Sequence, residues 1–362
     1  MSAWPKPKEP AESPAAPLLR YLLQPLDEWL QDPATEELGI NQPGEVWVRQ
    51  RGAFARYDVP LDIEDCESIA ILAGALRRQE VGPDAPLLAT ELPEGERLQV
   101  CLPPCVPVGT ISLTIRKHAP SVAPLAAVGR RYRAASWNRW RNLRASRDMT
   151  GLLALYDAGD LEGFLRAAVG ARLNMLLCGP TGSGKTTLSR SLIGAIAPAE
   201  RIITIEDTLE LIVTQPNHVR LLYSKTFPVP RHGEGLSRAQ IDANSLLEAS
   251  LRMRPDRVLL QELRDEAAWV YVNEVVSGHP GSITTIHGHG AAEAFRRLFA
   301  LVKGSPKGAA LEDRTLVELL SAAVDVIVPL HESGGMFGIG SVWFVADAAR
   351  RSETAADLLT DQ

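Results

Sequence analysis

The sequence is poor in cysteine. Its 362 residues hold four: Cys66, Cys101, Cys105 and Cys178. Cys101 and Cys105 have no second Cys or His pair near them, which argues against a structural zinc site there. Scattered single cysteines read as reduced, mostly buried thiols. Long apolar runs are also missing. A membrane-crossing helix requires about 20 apolar residues in a row. Residues 152–177 are apolar-rich, but Asp157, Asp160, Glu162, Arg166 and Arg172 interrupt them. The N-terminus carries Lys6, Lys8 and five prolines up to Pro17, without the apolar segment of a signal peptide. The chain is therefore expected in the cytoplasm. Excess positive charge is absent too. A net charge of -6 excludes a whole-molecule polyanion binder and leaves room only for a local basic patch.

What is present is ordinary globular composition, 45% hydrophobic and 23% charged, in a chain long enough for two or three domains. Residues 1–17 read as a flexible, Pro-rich tail. Leu18 to Leu30 has helical spacing, and Asn41-Gln42-Pro43-Gly44 is a turn signal. Residues 45–50 and 52–57 read as a strand hairpin, 65–78 as an amphipathic helix, and 86–89, 97–101 and 110–116 as further strands. The stretch 18–130 thus predicts a small α+β domain with an antiparallel sheet.

Between residues 131 and 150 the composition shifts. Across 129–147 seven arginines, Arg133 among them, stand among Tyr132, Trp137 and Trp140, with no acidic residue. This is read as an interdomain linker. Either its aromatics dock on a neighbouring surface, or its arginines face an anionic membrane, a nucleotide phosphate or nucleic acid. Residues 152–169 read as one helix. From 151 to 350, strands and helices alternate, the pattern of a parallel sheet covered on both faces. Residues 351–362 are expected to fray.

Within that second domain, Gly179-Pro180-Thr181-Gly182-Ser183-Gly184-Lys185-Thr186-Thr187 fits the phosphate-cradling P-loop pattern. Its glycines allow positive φ and let backbone N–H groups approach phosphate oxygens. Lys185 can reach the β- and γ-phosphates of ATP, and the Thr186 hydroxyl can ligate Mg²⁺. A short apolar strand precedes the loop and a helix follows, so the helix N-terminus would meet the anion.

Two apolar strands end in acids. Residues 201–207 end in Glu206-Asp207, and residues 256–262 end in Glu262. Strand ends of this kind fall on the ligand-binding edge of an open α/β sheet. Glu206 is assigned the chemistry on water. Asp207 is shared between that chemistry and capping the next helix. Glu262 is assigned Mg²⁺ coordination or orientation of the attacking water. A third strand ends in His287, which could report the γ-phosphate; His279 reads as structural.

Taken in order, GPTGSGKTT, ITIEDTLEL, LRMRPDRVLLQELRDEA and SGHPGSITTIHG resemble the Walker A, Asp, Walker B and His boxes of the secretion NTPase superfamily. Within it the chain is most similar to the traffic ATPases of type IV secretion systems. NQPGEVWV, GERLQVCLPPCVPVGTISLTIRK and LQPLDEWLQD resemble that family's N-terminal domain. The resemblance implies a RecA-like P-loop ATPase domain with a smaller N-terminal α+β domain. It implies an ATP-hydrolysing homohexamer, peripheral on the cytoplasmic face of the inner membrane. Other ATPases and inner-membrane channel subunits would be its partners, and it would power substrate transfer or pilus assembly. By the same resemblance Glu206 is the general base, Arg116 reaches the nucleotide's phosphates, and Arg252 and Arg254 line a subunit interface. Gln261 stands where the family usually has Gly or Ala, and Gly288 where Ala is common. The alternatives are a type II secretion or type IV pilus motor, a ring scaffold with weak turnover, and a nucleic-acid translocase. Assembly motors of the first kind often carry a C-terminal tetracysteine module, and no cysteine follows Cys178.

Overall fold

A computed structural model describes residues 13–118, 148–223, 241–264, 267–276 and 278–360. These form two compact units, residues 13–118 and the described residues from 148 onward. The tail up to residue 12 and the Arg-rich stretch 129–147 lie outside the described residues.

In the first unit, α1 (Ala15–Leu23) and α2 (Asp27–Gln31) lead into β1 (Thr35–Ile40), β2 (Glu45–Gln50) and β3 (Ala53–Asp58). Then come α3 (Ile63–Leu76), β4 (Leu87–Glu91), β5 (Arg97–Cys101) and β6 (Ser112–Arg116). The six strands form one sheet in the order β3-β2-β1-β6-β5-β4, with every neighbouring pair antiparallel. A capping box closes the start of α3, where Asp62 accepts from the Asp65 N–H and Asp65 reaches back to the Asp62 N–H. Leu19, Leu23, Leu38, Val46, Ile69, Val100 and Leu113 meet in the core between helices and sheet.

Two expectations change here. Helix α1 starts at Ala15 and buries Ala16, so the helix reaches into the stretch read as tail. Strand β1 is new. Glu36, Glu37 and Gly39 have little strand propensity, yet β1 is hydrogen-bonded on both sides, to β2 and β6, and that pairing overrides propensity.

The second unit opens with α4 (Thr150–Asp157) and α5 (Leu161–Gly170), followed by β7 (Met175–Cys178), α6 (Lys185–Gly194), β8 (Ile202–Glu206) and β9 (His218–Leu222). It continues with α7 (Ala243–Ser250), β10 (Arg257–Leu260), α8 (Ala267–Val276), β11 (Ile283–Ile286) and α9 (Ala291–Gly304). It ends with α10 (Pro306–Ala309), α11 (Asp313–Ala323), β12 (Val326–Ser333), β13 (Met336–Ile339), β14 (Trp343–Phe344) and α12 (Val345–Arg350). Strands β10-β8-β9 pair in parallel, as do β11-β7-β12. An isolated parallel bridge between Glu262 and Thr285 ties the two groups together. This is an α/β sheet of the expected class, with antiparallel β13 and β14 added on β12.

The single helix expected at 152–169 is two. Gly159 takes φ +70, and the Asp160 side chain caps α5 by accepting from the Gly163 N–H at 2.9 Å. Apolar spacing runs through the break and hides it. The expected frayed end also differs. Residues Asp357–Leu359 form a 3-10 turn in which Leu358 is buried, as is nearby Ala355. The Leu358 carbonyl accepts from Arg296 on α9.

Candidate active site

Strand β7 lies between β11 and β12, so the loop that follows it leaves from the carboxyl edge of the sheet. Gly182 and Gly184 take φ +83 and +86, a region that L side chains rarely adopt. Gly184 is also the N-cap of α6, and no side chain caps that helix end. Its first N–H groups therefore point outward with the positive end of the helix dipole. Lys185 Nζ donates to the carbonyls of Gly179 and Pro180, both at 2.8 Å, and so stays inside the loop. Burial draws the Lys185 ammonium below its ordinary pKa, and the nearby Glu262 carboxylate opposes that shift.

Loop and helix start form one wall of a cavity of about 400 Å³. Thr181 to Thr187 line it, together with Glu210, Gln261, Glu262, Arg264, Thr285, His287 and Phe337. The Glu262–Thr285 bridge explains part of this convergence. His287 lies two residues past Thr285 and so falls on the same side, where its Nε2 is 3.1 Å from Glu262 Oε1. Arg264, two residues past Glu262, brings its guanidinium to 2.5 Å from Glu262 Oε2. One carboxylate thus sits between two nitrogen groups, beside Lys185.

Glu206, expected to act on water, takes a different position. Its side chain is fully buried and it does not line the cavity. It accepts from the Thr204 hydroxyl at 2.7 Å, from the N–H groups of Glu210 and Leu211, both at 2.8 Å, and from the Arg220 guanidinium at 3.1–3.2 Å. Arg220 in turn donates to the Leu211 carbonyl. Both carboxylate oxygens are thus engaged by protein donors. What Glu206 does is fold the loop after β8, and that loop presents Glu210, which is exposed and reaches the cavity.

In sequence alone the chain matches the family of type II/IV secretion system proteins over residues 141–331. It is 58% identical over 348 residues to the protein VirB11 of Agrobacterium fabrum, covering 96% of this chain and 99% of that one. The chain belongs to the VirB11 family. The type IV secretion system protein VirB11 of Bartonella quintana is 38% identical over 89% of this chain and 91% of its own. In structure, the VirB11 ATPase of the Brucella suis type IV secretion system, solved with sulphate, superposes with a TM-score of 0.83 at 35% identity, covering 95% of this chain and 99% of that one.

Set against the VirB11 boxes, the structure brings Lys185, Thr186, Glu262 and His287 together and leaves Glu206 beneath the surface. Gly179 and Pro180 supply carbonyls to Lys185 rather than lining the cavity. Arg116 belongs to the first unit, where its Nε lies 3.7 Å from Glu37 Oε1. Arg252 donates to the Glu248 carbonyl of α7. Gln261 leaves the strand edge regular. Its N–H donates to the Ile205 carbonyl at 3.3 Å and its carbonyl accepts from the Thr285 hydroxyl at 3.0 Å. Sequence reasoning missed Arg264 and Glu210. Arg264 was legible as the residue two past an assigned carboxylate, on the same side of an extended chain. Glu210 was not, because only the loop that Glu206 folds brings it in. Thr186 and Glu262 supply hard oxygen donors to one cavity, the kind that Mg²⁺ takes, so the residues fit that ion.

Proposed function

We propose that this cavity binds Mg²⁺-ATP and that the ATPase works as a homohexameric ring, peripheral on the cytoplasmic face of the inner membrane. The chain is an ATP-hydrolysing motor of a type IV secretion system, as its VirB11 relatives and fold support. Among the described residues no helix is long and apolar enough to cross a membrane. The observation that carries the site reading is the convergence of Lys185, Thr186, Glu262 and His287 on one cavity at an uncapped helix N-terminus.

In this reading the N–H groups of the loop and Lys185 hold the phosphates. Thr186 and Glu262 would hold Mg²⁺, which supplies neutralisation of phosphate charge. Glu210, in place of Glu206, orients the attacking water, and His287 faces the γ-phosphate. By the family resemblance Arg116 is proposed to offset charge developing on the phosphates. Channel subunits and other ATPases of the secretion apparatus are its proposed partners.

The test is the mass of the full chain in solution with and without Mg²⁺-ATP, with phosphate release followed in the same samples. A six-subunit particle that turns over ATP and stops on Lys185→Ala supports the reading. A monomer with unchanged turnover in both Lys185→Ala and Glu262→Gln overturns it.

A further inference from the structure

The cavity wall has one residue that phosphate chemistry does not explain. Phe337 is 64% exposed, a costly position for a phenyl ring, and it lines the same cavity as the phosphate loop. It stands on β13, which forms a ribbon with β12 through the turn at Gly334-Gly335. Since β12 is the parallel neighbour of β7, with Pro329 opposite Cys178, the ribbon extends past the sheet edge beside the P-loop. Phe337 pairs with Glu332 and Ile339 with Leu330, so Phe337 shares the ribbon face of Leu330 and Ile339. The ring comes to rest against Gly184, where a Cβ would lie 3.2 Å from it.

The rest of the lining is polar apart from the loop glycines and Leu211, and Leu211 is 2% exposed and has little surface to give. A nucleotide has a polar phosphate chain and a flat, apolar base. The phosphate chain has its site in loop N–H groups and Lys185. Two lining rings have an open aromatic face, His287 and Phe337; the imidazole is held 3.1 Å from the Glu262 carboxylate, and the phenyl ring is the apolar one of the two. We infer that Phe337 is the stacking platform for the nucleotide's base. This rests on the nucleotide reading of the cavity and names the group that distinguishes a nucleotide from a bare polyphosphate.

Stacking uses the π-face common to all bases, so it gives affinity without strong base selectivity. The experiment uses the full-length chain and two ligands that it does not hydrolyse, ADP and inorganic pyrophosphate. Both Kd values are measured by calorimetry for wild type, Phe337→Ala, Phe337→Leu and Phe337→Trp. Expected is an ADP Kd about tenfold weaker in the Ala variant, weakened also in the Leu variant and kept in the Trp variant. The pyrophosphate Kd stays constant throughout, and GDP follows ADP. The inference is overturned if ADP binding is unchanged in Phe337→Ala, as it would be for a ring that only contacts a neighbouring subunit. It is equally overturned if Leu preserves ADP binding, or if ADP and pyrophosphate weaken together, as they would for a ring that only props the loop. Wild type binding neither ligand would instead sink the nucleotide reading, and this inference with it.

Discussion

Two strand ends in the second unit carry an acid, and the tertiary structure treats them differently. Glu206, at the end of β8, is fully buried and bonded by Thr204, Arg220 and two backbone N–H groups. Glu262, just past β10, faces the cavity with Arg264 and His287 against it. In sequence both are apolar runs ending in Glu. The difference arises one strand away. Arg220 on β9 lies beside β8 and supplies a cation from the sheet side, while β10 has β11 beside it and opens toward the P-loop. Burial with full pairing makes a folding element. Partial exposure to a cavity, beside nitrogen groups that face the same cavity, makes a chemical one.

The sharpest break of this comparison is Glu262→Gln. It should cut kcat by about 100-fold or more, in line with loss of a metal or transition-state contact, and shift the urea midpoint little, since its ion pairs are partly exposed. Phosphate release and equilibrium unfolding on the same preparation decide it. A stability loss as large as that of the next variant would erase the distinction.

Glu206→Ala should do the reverse in emphasis. It leaves Arg220 and two loop N–H groups without their acceptor, and stability should fall by about 3 kcal/mol, read from urea unfolding. Turnover falls as well, through the disordered position of Glu210, and Glu210→Gln should match that loss of turnover at unchanged stability. If Glu206→Ala unfolds at the wild-type midpoint, the structural assignment of Glu206 is wrong.

A double-mutant cycle sharpens the same point. Glu206→Gln and Arg220→Met together should cost less than the sum of the singles, with a coupling of about 1–3 kcal/mol. The pair Glu262 and Arg264 should couple by less than about 1 kcal/mol in unfolding, as exposed pairs do. Additive singles at 206 and 220 would show that their contact is incidental.

The smallest effect concerns Lys185. Its pKa is lowered in the folded chain by burial. Between that lowered value and the ordinary 10.5, the unfolded chain binds the extra proton, so stability rises with pH across this interval. Below it, the charged, partly buried ammonium destabilises the fold. Lys185→Met should therefore raise the urea midpoint slightly near neutrality while abolishing turnover, and the gain should fade as pH approaches 10.5. A midpoint lowered at neutral pH would contradict the burial argument.

Much of this was local enough to be written in the chain. The P-loop is legible because each position has a backbone or charge requirement that few residue types meet: glycine at 182 and 184 for positive φ, Lys185 and Thr186 for phosphate and metal. The β2–β3 hairpin and the helix at 63–76 follow from turn chemistry and a capping box, both short-range. The order of the four boxes carried the resemblance to the secretion NTPase superfamily, and the N-terminal motifs narrowed it to the traffic ATPases of type IV secretion systems. Tertiary structure decided the rest. Strand β1 exists because neighbours pair with both of its edges, whatever its propensity. The break at Gly159 is a matter of one backbone angle inside a continuous apolar pattern. Whether a strand-end carboxylate is buried and paired or open to a ligand depends on which cation the adjacent strand brings to it. Sequence fixes which groups exist and their local geometry. Only the packed sheet settles their solvent access and their partners, because burial and pairing are set by residues far apart along the chain.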